Sequence, residues 1–191
     1  SINYSFLISD MPFMSFYDAG IALDSAKRLM QDGGAQMVKL EGNRSQINII
    51  EKLALSDIPI CAHIGLRPQS VNKMGGYKVQ GKSSNDANML IQEAKKIEES
   101  GADLLLVECV SSQTAKELAD EITIPIIGIG AGPDVDGQIL VLYDILGISP
   151  GKLPKFSKNY MDGNNTIEDA IRQYIQEVKT LKYPTDKHSF K

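Results

Sequence analysis

Asp10, Lys39, Glu41, His63 and Glu108 each stand at or near the end of a short apolar run, and Gly128-Ile-Gly-Ala-Gly132 closes another. Ionisable groups at strand ends are where a parallel α/β enzyme assembles its site, because the strands converge there. Glu108 ends the run Leu104-Leu-Leu-Val107 and is placed to act as a general base. Asp10 and Glu41 offer hard carboxylate oxygens suited to Mg²⁺, which keeps several waters and needs only one or two such ligands. On an extended Met37–Glu41, Lys39 and Glu41 share one face while Val38 and Leu40 share the other. Both charges then point into a barrel lumen if the apolar pair meets the helices. A buried Lys39 needs a partner, and Glu41 or a bound anion is the natural one. A plain ion pair at the barrel rim is the alternative for these two residues, and a satisfied core histidine is the alternative for His63.

The elements that must hold these residues follow one another regularly. An extended Ser5–Ser9 ends at Asp10, and apolar positions Ala19, Ala22, Leu23, Ala26, Leu29 and Met30 then repeat with the period of an amphipathic helix until Gly33-Gly34 stops it. Strands are predicted over Met37–Glu41, Ile58–His63, Asp103–Glu108 and Ile124–Ile129. Helices are predicted around Ser45–Leu55, through Leu90–Ile97 and near Ser112–Asp120. Gly65–Ser84 has no period and reads as a long loop, a length usually kept for function. In the tail stand an apolar stretch Ile139–Leu146, a short strand at Lys155–Ser157 and a last helix opened by the capping box Thr166-Ile-Glu-Asp169. Gly34-Ala35 and Ile58-Pro59 recur 67 and 66 residues later as Gly101-Ala102 and Ile124-Pro125. Two βαβ units of one build are what a (β/α)-barrel gives, although an open doubly wound sheet fits the same pattern.

Composition bounds the function. A chain of 191 residues is long enough for one domain with a real core. The net charge of −4 and the lack of a Lys/Arg cluster argue against a nucleic-acid partner. No apolar stretch approaches the ~20 residues that span a bilayer, and no signal peptide is visible, so the expectation is a soluble, cytoplasmic chain. Two cysteines do not make a disulfide framework, and two His with two Cys do not make a structural zinc site. Cys61 should share a strand face with His63, and Cys109 should face away from Glu108. The Gly128–Gly132 run lacks the spacing and the following helix of a dinucleotide fingerprint; close backbone approach at a strand rim explains it better.

Ordered along the chain stand Asp10-Met-Pro-Phe-Met14, Met37-Val-Lys-Leu-Glu-Gly42, Cys61-Ala-His-Ile-Gly-Leu-Arg-Pro-Gln-Ser70, Gly75-Gly-Tyr-Lys-Val-Gln-Gly81, Leu106-Val-Glu-Cys-Val110, Ile126-Ile-Gly-Ile-Gly-Ala-Gly132, Asp136-Gly-Gln-Ile-Leu140 and Pro154-Lys-Phe-Ser-Lys-Asn159. In sequence and spacing they resemble the signatures of the ketopantoate hydroxymethyltransferase family, from about residue 5 to His188-Ser-Phe190. The segment Gly75–Gly81 has no generic structural explanation.

The resemblance implies a (β/α)₈ TIM barrel of the phosphoenolpyruvate/pyruvate type. It implies transfer of a hydroxymethyl group from 5,10-methylenetetrahydrofolate to 3-methyl-2-oxobutanoate, giving 2-dehydropantoate through a Mg²⁺-stabilised enolate on the route to pantothenate and coenzyme A. On it, Glu108 matches the proton acceptor, Asp10 and Glu41 the metal ligands, and Asp10, Lys39 and His63 the substrate contacts. A homodecamer is implied as well. The family's first two barrel strands have no counterpart here, so residues 1–191 are expected to form a single, N-terminally incomplete catalytic domain, poorly soluble or inactive when expressed alone. A metal-dependent 2-oxo acid lyase of the same superfamily would share the barrel and carboxylates but has no reason to keep Gly75–Gly81, and an inactive fragment is the other alternative.

Overall fold

The computed structural model describes residues 4–42 and 44–191. In chain order it contains β1 (Ile8–Asp10), α1 (Ala19–Lys27), β2 (Met37–Glu41), α2 (Ile47–Ala54), β3 (Ile60–Gly65), α3 (Val71–Met74) and α4 (Ser84–Glu99). Then follow β4 (Leu104–Glu108), α5 (Ser112–Glu121), β5 (Ile126–Ile129), β6 (Gly137–Gln138), α6 (Leu142–Ile145) and α7 (Ile167–Lys179). The helix starts are written in the sequence: Asp18 accepts from the Gly20 N–H at 2.8 Å, Ser83 from Asp86 at 3.1 Å, and Thr166 from Asp169 at 3.1 Å. Each cap satisfies a donor that the first turn leaves free. The first helix passes into a π turn at Arg28–Asp32 before Gly33 ends it.

All six strands are parallel and lie in the order β1-β2-β3-β4-β5-β6. An unbroken sequential order has no point at which the winding reverses, so the doubly wound alternative falls and the strand order is that of a barrel. A (β/α)₈ barrel closes with eight strands; the described residues supply six consecutive ones. One face of the sheet packs Val38, Leu40, Ile60, Ala62, Ile64, Leu105, Val107 and Ile126 against Ala22, Ala26, Ile50, Leu53, Ala94, Ile97 and Leu118 of α1, α2, α4 and α5. Burying each Val, Leu or Ile of this set stabilises the chain by about 1.5–3 kcal/mol, and each Ala by less. The opposite face carries Met37, Cys61, Leu106 and Ile129 in a second cluster with Leu140, Phe156 and Tyr160. The alternation expected on β2 therefore holds, with Val38 and Leu40 toward the helices and Lys39 and Glu41 on the inner face.

Four expectations are corrected. Lys155–Ser157 is not a strand but a turn in which Ser157 N–H bonds to the Pro154 carbonyl at 2.9 Å. The sixth strand is Gly137–Gln138, too short to announce itself by alternation. Gly65–Ser84 is not structureless: it holds a 3₁₀ turn at Pro68–Ser70 and α3, and Gln80 pairs in parallel with Val110. Cys109 also departs from strand alternation, because its φ of +49° ends the pleat and turns it into the cluster of Cys61 and Leu106.

Gly65 shows how closely β3 and β4 meet at the rim. Its φ is +86°, and an added Cβ would lie 2.3 Å from the Glu108 carbonyl oxygen and 2.7 Å from Val110 Cγ2. Gly65→Ala is expected to lower unfolding stability by about 2–5 kcal/mol, from left-handed strain and overpacking together. Urea denaturation of the variant within about 0.5 kcal/mol of the parent would show that the rim can widen freely.

Candidate active site

Parallel register decides which side chains meet. Asp10 lies opposite Lys39, Glu41 opposite His63, and Gly65 opposite Glu108. Directly opposed residues on parallel strands share a face, so Asp10, Lys39, Glu41, His63 and Glu108 all project from the inner face near the strands' C-terminal ends. They line one open cleft of about 410 Å³ together with Pro68, Gln69, Leu106 and Ile129, closed on one side by Ile139, Leu140 and Val141 after β6. All five sequence-predicted residues are thus brought together.

Their internal partners differ from expectation in one respect. The Lys39 ammonium, with its side chain only 15% exposed, pairs with the Asp10 carboxylate and not with Glu41. The register explains it: Asp10 is the cross-strand neighbour of Lys39, whereas Glu41 sits a full pleat further along. Glu41 is 5% exposed, and both its carboxylate oxygens accept from the Gln69 backbone N–H, at 3.0 and 3.1 Å. The Gln69 side chain in turn donates from Nε2 to the Met11 carbonyl at 2.9 Å, which ties the loop after β3 to the residue that follows Asp10. Gln69 Oε1 is buried without a hydrogen-bond partner among the described residues. Gln69 lies in the Cys61–Ser70 segment, and nothing in the sequence says that its N–H would reach Glu41, 28 residues earlier.

His63 is 1% exposed, and neither ring nitrogen has a hydrogen-bond partner among the described residues. Its Nε2 lies 3.4 Å from Glu108 Oε2, close enough for charge attraction but without hydrogen-bond geometry. No described protein group satisfies the imidazole, and a buried imidazole with both nitrogens unpaired is costly unless something in the cleft engages it. Among the described residues no three His, Cys, Asp or Glu side chains form a ready-made metal cluster. The oxygens of Asp10 and Glu41 in one cleft nonetheless fit a hard cation that retains water ligands.

The two thiols are inert by environment. Burial pushes Cys61 up to about 12, with Lys39 opposing and Asp10 adding to the shift, and burial with the charge of Glu108 does the same for Cys109. At about pH 8 both should resist iodoacetamide in the native protein and react fully once it is denatured. Rapid native labelling of Cys61 would mean that the cleft opens more than this geometry allows.

The family model described as Ketopantoate hydroxymethyltransferase matches residues 1–186. The chain belongs to that family. Curated relatives named 3-methyl-2-oxobutanoate hydroxymethyltransferase agree: one from Alkalilimnicola ehrlichii is 50% identical over 96% of this chain and 66% of its own length. One from Hahella chejuensis is 50% identical over 97% of the chain and 70% of its own length, and that of Shewanella sediminis is 52% identical over 99% and 71%. The chain thus spans about two thirds of the length of the ketopantoate hydroxymethyltransferases it matches. No helix among the described residues is long and apolar enough to cross a membrane.

Proposed function

We propose that this chain carries the catalytic cleft of a 3-methyl-2-oxobutanoate hydroxymethyltransferase, which joins the one-carbon unit of 5,10-methylenetetrahydrofolate to C3 of the 2-oxo acid. The observation that carries the reading is Glu108, a carboxylate facing the same cleft as the Asp10–Lys39 pair and Glu41. Lys39 receives the carboxylate of the 2-oxo acid, a charged hydrogen bond made from a strand that cannot move. Glu108 then takes the C3 proton, and the electron pair of the broken C–H bond delocalises toward the keto oxygen before forming the new C–C bond to the donor's methylene carbon. One water is consumed, its oxygen ending in the hydroxymethyl group, and tetrahydrofolate leaves. His63, held 3.4 Å from Glu108, offers a donor to the bound acid on the side where the proton moves.

Mg²⁺ bound by Asp10 and Glu41 would supply positive charge that polarises the oxygens of the 2-oxo acid. Support for it lies in the donor chemistry and in the orphaned Gln69 Oε1, an acceptor suited to a water of a hydrated cation. Gln69→Ala should lower Mg²⁺ affinity about tenfold, as the loss of a supporting residue commonly does. Calorimetric titration with Mg²⁺ alone reads this; unchanged affinity would remove Gln69 from the site's support.

On the same reading the protein works in the cytoplasm as a homodecamer in pantothenate and coenzyme A biosynthesis. The deciding experiment incubates the full-length protein with 3-methyl-2-oxobutanoate, 5,10-methylenetetrahydrofolate and Mg²⁺ and looks for 2-dehydropantoate by mass spectrometry. No product, with the fold confirmed by circular dichroism, would overturn the proposal.

A further inference from the structure

A second cleft adjoins the carboxylate cleft, and a third adjoins the second. One, of about 120 Å³, is walled by Phe13 and Tyr17 and shares Glu41 and Gln69 with the carboxylate cleft. The other, of about 360 Å³, is lined by Met74, Lys78 and Met89, with Asp86 and Glu93 of α4 on the same wall as Met89. Arg67 belongs to both. The three clefts therefore run in series across the strand ends, joined first through Glu41 and Gln69 and then through Arg67.

Phe13 and Tyr17 are 68% and 63% exposed in a loop that starts just after Asp10, and Met14 between them holds a φ of +66° that a side-chain-bearing residue rarely adopts. Arg67 is half-buried and forms no ion pair among the described residues; its guanidinium makes one long bond, 3.5 Å, to the Gly42 carbonyl. A half-buried guanidinium with no carboxylate within ion-pair distance among the described residues has donors to offer an anionic ligand. The segment Gly75–Gly81 supplies Lys78 to the far end. It is fixed there because Gln80 N–H bonds to the Cys109 carbonyl at 2.8 Å and Ser111 N–H bonds to the Gln80 carbonyl at 3.1 Å.

We infer that this groove binds the one-carbon donor, with its flat pterin ring against Phe13 and Tyr17 and its benzoylglutamate part running past Arg67 and along Met74 and Met89 to Lys78. The inference rests on the hydroxymethyltransferase reading and adds where the donor lies. Aromatic walls suit a heteroaromatic ring, and a cation at the junction with another at the far end suits an anionic tail. The direction is set by the shared residues: the ring that carries the methylene carbon must lie beside Glu41 and Gln69, next to the cleft where C3 is deprotonated. On this placement Gly75–Gly81 holds a tail-binding lysine at a fixed distance from the Glu108 loop.

The test compares Phe13→Ala and Lys78→Glu in the full-length protein. Tetrahydrofolate affinity is measured by calorimetry, KM for 5,10-methylenetetrahydrofolate by turnover, and C3 proton exchange of 3-methyl-2-oxobutanoate in heavy water without folate. Each variant is expected to raise the folate Kd and KM about tenfold, the usual scale for losing one stacking or charged contact. Folate-free exchange should stay within about twofold of the parent, because the 2-oxo acid cleft is untouched. Folate affinity unchanged in Lys78→Glu, an exposed position whose replacement leaves the fold intact, would overturn the inference whether or not Phe13→Ala folds. Exchange falling in step with folate affinity would overturn it too, by making the groove part of the 2-oxo acid site. A parent protein that exchanges and transfers nothing would instead sink the hydroxymethyltransferase reading itself.

Discussion

Glu108→Gln is expected to slow exchange of the C3 proton of 3-methyl-2-oxobutanoate into heavy water by about 10²–10⁴-fold, the range that a positioned general base contributes. Glutamine keeps the size and shape of the side chain, so packing against Leu106 and Ile129 is preserved, and only the ability to accept a proton is lost. His63 would remain 1% exposed beside it. If His63 were itself the base, the variant would retain most of its exchange rate; proton NMR of the substrate therefore separates the two residues. Binding of the 2-oxo acid should change little, since Lys39 and Asp10 lie on β1 and β2 while Glu108 lies on β4. Exchange at the parent rate in a folded Glu108→Gln protein would remove Glu108 from the role.

Chelation is expected to have an effect as large. Exhaustive EDTA treatment should abolish transfer, and Mg²⁺ or another hard divalent ion should restore it, because two carboxylates with retained waters select for such ions. Two substitutions resolve which carboxylate matters and how. Glu41→Gln keeps an oxygen that can accept the Gln69 N–H, so the loop after β3 stays in place while the charge is lost. Asp10→Asn removes the counter-charge of Lys39 as well as a ligand oxygen. Both should need more Mg²⁺ for half-maximal activity, and Asp10→Asn should also raise KM for the 2-oxo acid, since Lys39 is no longer held by its partner. Full activity in rigorously metal-free buffer would eliminate the cation from the reaction.

Much of this site is legible in the amino-acid sequence. Apolar runs of strand length ending in ionisable residues placed Asp10, Lys39, Glu41, His63 and Glu108 at strand ends, and the alternation of β2 put Lys39 and Glu41 on one face. Those are local properties, set by a period of two along each strand, and a strand's own sequence carries them. The N-cap at Thr166 is legible for a similarly local reason, although the reciprocal half of the expected capping box does not form: the Asp169 carboxylate accepts from the Thr166 hydroxyl. Strand β6 is not legible, because two residues are too few for a period and pairing with β5 alone makes them a strand. Tertiary structure also decided barrel order over a doubly wound sheet, gave Lys39 to Asp10 instead of Glu41, turned Cys109 inward, and brought the Gln69 N–H to Glu41. Each of these depends on which residues of separate strands and loops lie opposite one another. Register arises only when the apolar faces of neighbouring units pack together, so no single segment contains it.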